Sequence, residues 1–428
     1  MHIPPHHHLT YCTNIHPGET WTEVRDSLKY VLEVRDKLGV EGAFGIGLRL
    51  SARAAEELAR PQVLRELKDW LARHDCYVFT MNGFPYGDFH GEVVKDQVHA
   101  PDWTTRERVE YTIRLFNILA ELLPEGVEGG ISTSPLSYRP WHRSPEAVRE
   151  VTEKSVLQLM KVILHLVRIK EITGKSLHLD IEPEPDGMLE NSRDFIDFYN
   201  DKVLTTGLDW LHDHLGTTRE AAEAAIHEHL CLCYDVCHFA VAYEEPAAVL
   251  MALEAHGIHV GKLQISAALK TSLREDEADI ALTRHSLLPY AEPIYLHQTA
   301  LRDRDGTISQ YSDLAPALDA MGNPHYTELR THFHVPIYTD NYGILQSTND
   351  AITETLRLWQ ADPFTHHLEV ETYTWDVLPD HQRLGLTDSI ARELEWVLPQ
   401  LAVSGHHATN RTLNSEQSDH ALRKGSKG

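Results

Sequence analysis

Short apolar runs alternate with longer amphipathic ones along most of the chain. The strand-like runs are HLTYCTNI (8–15), GAFGIGLRL (42–50), CYVFTMNGF (76–84), GGISTSPLS (129–137), SLHLDIEPE (176–184), LCLCYDVCH (230–238), VGKLQISAA (260–268) and HHLEVETYT (366–374). Between them lie segments with an apolar stripe at helical spacing, such as WTEVRDSLKYVLEVRDKLG and the long run from Ser144 to Gly174, where glycine suits the residue just past a helix end. Strands alternating with helices predict an α/β protein with a parallel sheet, and eight such units fit a closed (β/α)8 TIM barrel. A doubly wound open sheet is the rival, weakened because no Gly-rich phosphate loop follows the first strand. One domain is predicted over 1–403. It carries an insertion over 270–330 after the seventh strand, with a β-hairpin turning at DRDG. The polar tail 404–428 is predicted to be disordered.

Within the strands the polar positions are the informative ones, because alternate residues share a face. In SLHLDIEPE, Leu177, Leu179 and Ile181 face one way and His178, Asp180, Glu182 and Glu184 the other. If the apolar face packs on the helices, four polar groups look into the barrel. Desolvating an ion costs several kcal/mol, so such groups need a cationic partner, and a metal ion supplies one economically. The late strands repeat the pattern. Asp235 ends LCLCYD with His238 three residues on, Gln264 lies in KLQIS beside Lys262 and Ser266, and Glu369 and Glu371 lie in LEVET. In THFHVPIY, His332 and His334 sit two apart and point the same way. Barrel active sites lie at the carboxyl ends of the strands, and mixed carboxylates and imidazoles suit Mn, Zn, Mg or Fe, one ion or two. Each piece also has a plainer reading. A strand-end carboxylate commonly caps a helix, EPEPDG serves as a turn, and the cysteines of CLCYDVC pack as small side chains.

Net charge is −25, from 64 acidic and 39 basic residues, which disfavours nucleic acid as a partner. No apolar run is long enough to insert in a membrane, and no signal peptide is recognisable. Five cysteines, three of them crowded into CLCYDVC, predict reduced thiols and a cytoplasmic setting. The three histidines at 6–8 are read as a chance run rather than a metal-binding tract.

CYDVCHFAVA resembles the sixth-strand motif of the xylose-isomerase-like barrel superfamily of sugar isomerases, epimerases and endonuclease IV relatives. That resemblance implies metal ligands at Glu182, Asp235, His238, Gln264, His332, His334 and Glu371. LTYCTNIHPGETW, THFHVPIY and HHLEVETYTWDVLP together resemble a narrower group, the EboE metabolite traffic proteins. It implies handling of a small secondary-metabolite precursor, with other Ebo-cluster proteins as partners. The pattern departs from the nucleases: Gln264 stands where they have His and His332 where they have Asp, and of the early histidines that complete a three-metal cluster only His90 offers a match.

Three functions follow as expectations. The first is metal-dependent isomerase or epimerase chemistry, with Glu182, Glu371 and His334 catalytic and Asn14, His16, Asn82 and Trp375 contacting the small-molecule substrate. The second is non-enzymatic binding and transfer of a metabolite. The third is phosphoester hydrolysis, which would recruit Arg49, Arg139, Arg143 or Lys262. His297, in YLHQT, is expected to cap the insertion rather than join the site.

Overall fold

The computed structural model describes residues 1–87, 95–291, 296–374 and 384–401. Seven strands alternate with helices: β1 (His7–Tyr11), β2 (Phe44–Arg49), β3 (Cys76–Asn82), β4 (Gly129–Thr133), β5 (Leu177–Ile181), β6 (Leu230–Asp235) and β7 (Val260–Ile265). Six more strands follow outside the barrel: β8 (Ala267–Ser272), β9 (Thr299–Asp303), β10 (Ile308–Tyr311), β11 (Tyr326–Val335), β12 (Asn341–Tyr342) and β13 (Leu345–Ser347). The chain then returns to the barrel as β14 (His367–Val370). The barrel strands are hydrogen-bonded in parallel in the order β1-β14-β7-β6-β5-β4-β3-β2, with the two-residue strand His2–Ile3 antiparallel beside β1. The protein is a TIM barrel.

The seam between β1 and β2 is closed by a single parallel bridge, Cys12 to Gly47, and by threonine hydroxyls. Thr10 Oγ1 donates to the Gly45 carbonyl (2.9 Å) and accepts from the Gly47 N–H (3.0 Å), and Thr13 Oγ1 accepts from the Arg49 N–H (2.9 Å). Glycine suits position 47 because a Cβ there would lie 2.8 Å from the Tyr11 backbone oxygen, as well as 1.8 Å from Glu369 Oε1.

The predicted strands are present but trimmed. HLTYCTNI ends its strand at Tyr11 and turns into a 3-10 helix at Thr13–Ile15. LCLCYDVCH ends at Asp235, and Val236–Val241 is helical. The long helix runs Pro145–Thr173, capped by the Ser144 side chain and stopped by Gly174 in the left-handed region at φ 74°. The insertion is wider than 270–330. Strands β8 to β13 form an antiparallel sheet in the order β10-β9-β11-β8-β13-β12, spanning Ala267–Ser347. The DRDG hairpin pairs Thr299 with Tyr311 and Arg302 with Ile308. His332 and His334 therefore ride on β11 of this second sheet. The β11–β8 register is irregular between Thr331 and Val335, over the stretch that carries both histidines. No helix among the described residues is long and apolar enough to cross a membrane. The tail from 404 and Trp375 lie outside the described residues.

Candidate functional site

A small cavity of ≈ 70 Å³ opens at the carboxyl end of the barrel. Its walls include Glu182, Glu184, His238, His332, His334 and Glu371, with the amides Asn14, Asn82 and Gln298 and the apolar faces of Phe84, Leu296 and Tyr373. Glu182 and Glu184 leave β5, Glu371 leaves β14, and His332 and His334 hang over the mouth from β11.

The three imidazoles share one arrangement. His238 Nδ1 is 3.0 Å from the Pro183 carbonyl, His334 Nδ1 is 2.9 Å from the Glu371 carbonyl, and His332 Nδ1 is 2.7 Å from Gln298 Oε1. Each acceptor is an oxygen without a proton, so each Nδ1 carries the hydrogen and each Nε2 keeps its lone pair. This is how metal-binding histidines are oriented. The Nε2 atoms of His332 and His334 are buried without a hydrogen-bond partner, as are Glu182 Oε2, Glu184 Oε2 and Asp235 Oδ2. Burial, and the neighbouring imidazoles, hold His332 well below its ordinary value, and burial brings His334 down to about 4, so both are neutral at pH 7.

Asp235 fills two roles. Its Oδ1 caps the helix Val236–Val241, accepting from the His238 N–H (3.2 Å) and from Ser266 Oγ (2.7 Å). Its Oδ2 faces His334 Nε2 at 3.9 Å. The helix-cap reading and the ligand reading are thus compatible, on different oxygens. Burial raises its proton affinity, but His238, His334 and the two hydrogen bonds outweigh that and hold the carboxyl below its usual range.

Donor atoms of Asp235, His238 and His334 lie within 4.8 Å of one another, and so do those of Glu184, His238 and His332. Unpartnered imidazole nitrogens facing unpartnered carboxylate oxygens fit a divalent cation, because each group is otherwise buried at a cost with nothing to satisfy it. Glu182 joins the same wall, with Oε1 3.7 Å from His238 Nδ1. Its proton affinity is raised by burial, then by Glu371, Asp235 and Glu184. Glu184 is raised to about 8, chiefly by burial, and Gln298 Nε2 donates to it at 3.3 Å.

Two expected residues turn out differently. Gln264 Nε2 donates to Glu371 Oε2 (2.8 Å), and its Oε1 accepts from Cys233 Sγ (2.8 Å). The oxygen a metal would need is turned into the barrel, so in this arrangement Gln264 positions Glu371. His16 does not line the cavity: it stacks on Tyr30 with ring centroids 5.0 Å apart, and its Nε2 meets Tyr11 Oη at 2.9 Å. Asn14 and Asn82 do line it, and both amides donate to Glu371 Oε1, at 2.7 and 2.9 Å. Glu371 is therefore clamped by three amides, while burial, Asp235 and Glu369 raise its proton affinity. The basic residues considered for phosphate sit elsewhere. Arg49 pairs with Glu19 (2.8 Å), Lys262 pairs with Glu369 inside the barrel (2.8 Å), and Arg139 and Arg143 are exposed. His297 stacks on Phe333 (4.8 Å) within the insertion.

Sequence reasoning passed over Gln298 and His99. His99 is fully buried, with Nε2 3.7 Å from Glu184 Oε2 and its ring stacked on Tyr138. Neither residue has a local signal: Gln298 lines the cavity from an irregular segment, and His99 backs Glu184 from the end of a 3-10 helix.

No protein-family model matches the chain, and no curated protein sequence matches it. Among solved structures it is similar to a xylose isomerase-like TIM barrel protein from Mycobacterium smegmatis in complex with magnesium, at 11% identity over 94% of this chain and 98% of that one, TM-score 0.48. It is also similar to an L-ribulose 3-epimerase (11%, 92% and 94%, TM-score 0.46) and to an IolI protein with a bound zinc atom (13%, 92% and 98%, TM-score 0.45). The chain is an α/β TIM barrel.

Proposed function

We propose that the chain is a metal-dependent enzyme of isomerase or epimerase type, acting on a small carbonyl- or hydroxyl-bearing metabolite at the carboxyl end of its barrel. One observation carries this reading. Three imidazoles have their Nδ1 hydrogens committed to oxygens, and the Nε2 atoms of His332 and His334 are buried without a partner beside the carboxylates of Glu182, Glu184 and Asp235, each of which keeps one oxygen free of hydrogen bonds. Asp235, His238 and His334 would hold one divalent ion, and Glu184 and His332 have the chemistry for a second. Such an ion, when bound, polarises a carbonyl and stabilises charge developing on its oxygen.

The remaining work falls to the chain. Glu182 has one oxygen free of hydrogen bonds in the cavity and a proton affinity raised by burial, which suits it to hold and hand over a proton. Glu371 is held rigid by Asn14, Asn82 and Gln264, so it fixes the shape and charge of the opposite wall. Phe84, Leu296 and Tyr373 give the substrate's carbon skeleton an apolar face and keep water out. The narrower part of the proposal is membership of the EboE metabolite-traffic group, handling a secondary-metabolite precursor with Ebo-cluster partners. Asn14, His334 and Glu371, one from each of the three strings that carry that resemblance, line the same cavity.

The test is solvent exchange. Protein loaded with Mn²⁺ or Zn²⁺ is incubated in D2O with small hydroxy-ketones, and deuterium uptake next to the carbonyl is followed by NMR. Glu182→Gln should lower uptake by about 10²–10⁴-fold while the metal content stays unchanged. Exchange unaffected by Glu182→Gln removes that residue from the chemistry. Tight binding with no exchange for any substrate replaces the enzyme with a metabolite carrier.

A further inference from the structure

The opposite end of a TIM barrel ordinarily serves stability. Here it holds buried chemistry that the proposed reaction leaves unused. His178 on β5 and His367 at the start of β14 turn into the barrel with ring centroids 5.0 Å apart. Glu128, half-buried, precedes β4. One donor atom from each of Glu128, His178 and His367 lies within 4.8 Å of the other two. His178 Nδ1 meets Asp180 Oδ1 at 2.5 Å, the carboxylate–imidazole contact that orients a ligating histidine and leaves its Nε2 to coordinate. His367 has no exposed surface, and its Nδ1 has no partner, while its Nε2 is 3.2 Å from the Glu128 carbonyl. Asp180 Oδ2 is also buried and unpartnered.

Two glycines make room for this group. A Cβ at Gly130 would lie 2.3 Å from His178 Cε1, and one at Gly261 would lie 2.0 Å from Asp180 Oδ1. Two neighbouring cavities, of ≈ 280 and ≈ 920 Å³, reach this end of the barrel and share Glu128, Ser176 and His366 as walls. The larger is also lined by His2, His6 and His8, so two histidines of the 6–8 run sit at its mouth.

We propose that Glu128, His178 and His367 form a second metal site, for a zinc-class divalent ion, at the amino end of the barrel, with Asp180 as the positioning residue for His178. Two imidazoles and one carboxylate with an open position is an established donor set for such an ion. The site is separate from the one under Proposed function and stands without it.

The test counts Zn²⁺ per chain after dialysis and measures affinity by competition with a chromophoric chelator. Glu128→Gln/His178→Gln should lose one equivalent relative to the wild type and keep the rest. His332→Gln/His334→Gln should lose ions from the carboxyl-end site and retain this one. Asp180→Asn should weaken the amino-end site by about 10–100-fold with the fold intact, which a purely structural role would not produce. Glu128→Gln alone, at the half-buried rim, serves if the double variant does not fold, and should also weaken the site. The proposal is overturned if the Glu128 and His178 variants keep the full wild-type count, or if the equivalent is lost instead on His2→Ala/His6→Ala. An unchanged count in His332→Gln/His334→Gln counts against the carboxyl-end reading alone.

Discussion

Lys262 and Glu369 show what it takes to keep a charge inside this barrel. Both are completely buried, with Nζ 2.8 Å from Oε2, and Nζ also donates to the Met81 carbonyl (3.1 Å) and Ser132 Oγ (3.3 Å). Burial pulls the Lys262 amine down, but Glu369 outweighs it and holds the amine above its ordinary value. Lys262→Met leaves a buried carboxylate without a cation, and should cost about 3–5 kcal/mol, read from urea unfolding. Lys262→Met/Glu369→Gln should recover a large part of that loss. A single variant as stable as the wild type would show that the pair is dispensable. Period-two alternation correctly turned Lys262, Gln264, Glu369 and Glu371 inward. It could not say which of them were already spent on one another. Both ends of the Gln264 amide are bonded, one to Glu371 and the other to Cys233. Facing is encoded locally, whereas partnership depends on strands about a hundred residues apart.

The same division holds among elements. Eight strand–helix units were legible because each carries its own periodicity and stop signals, such as Ser144 and Gly174 around the longest helix. The second sheet was not. Strand β11 pairs with β8 and β9, partners far off in sequence, so only the DRDG hairpin showed in advance. The barrel seam was equally hidden, because side chains close it in place of a full backbone ladder. Thr10→Val keeps the shape of the side chain but leaves the Gly47 N–H and Gly45 carbonyl without their bonds. Each orphaned group costs about 1–3 kcal/mol. The variant should unfold at lower urea, and amide exchange should rise first at Gly47 and its neighbours on β2. Unchanged protection at Gly47 would mean that the backbone alone closes the barrel.

At the scale of the molecule, an acidic chain has buried several of its carboxyls, and pH should reveal the consequence. Burial raises Glu184 and Glu393 to about 8, and raises Glu182 and Glu371 well above the ordinary value, against about 4.3 for an unfolded glutamate. Between those limits the folded state binds more protons than the unfolded one, so stability falls as pH rises. Buried imidazoles act in the opposite sense, because His99 is lowered to about 3 and His334 to about 4 against about 6.5 unfolded. Their contribution is complete above pH ~6.5 and shrinks below it. The buried amine of Met1, lowered to about 4, opposes the carboxyls by a single proton up to about pH 8. Metal-stripped protein should therefore lose stability between about pH 6.5 and 8, by about 1.4 kcal/mol per pH unit for each excess proton held by the folded state. A divalent ion at Asp235 or Glu184 favours the charged form of the carboxyl it meets and of Glu182 beside it, so it should flatten this decline. It should also stabilise the fold by about 2.7 kcal/mol when present at a hundred times its dissociation constant. Urea midpoints across this range, with EDTA and then with Zn²⁺, make the measurement. A midpoint that holds steady to pH 8 in EDTA, or the same slope with and without Zn²⁺, would separate these carboxyls from any role in holding an ion.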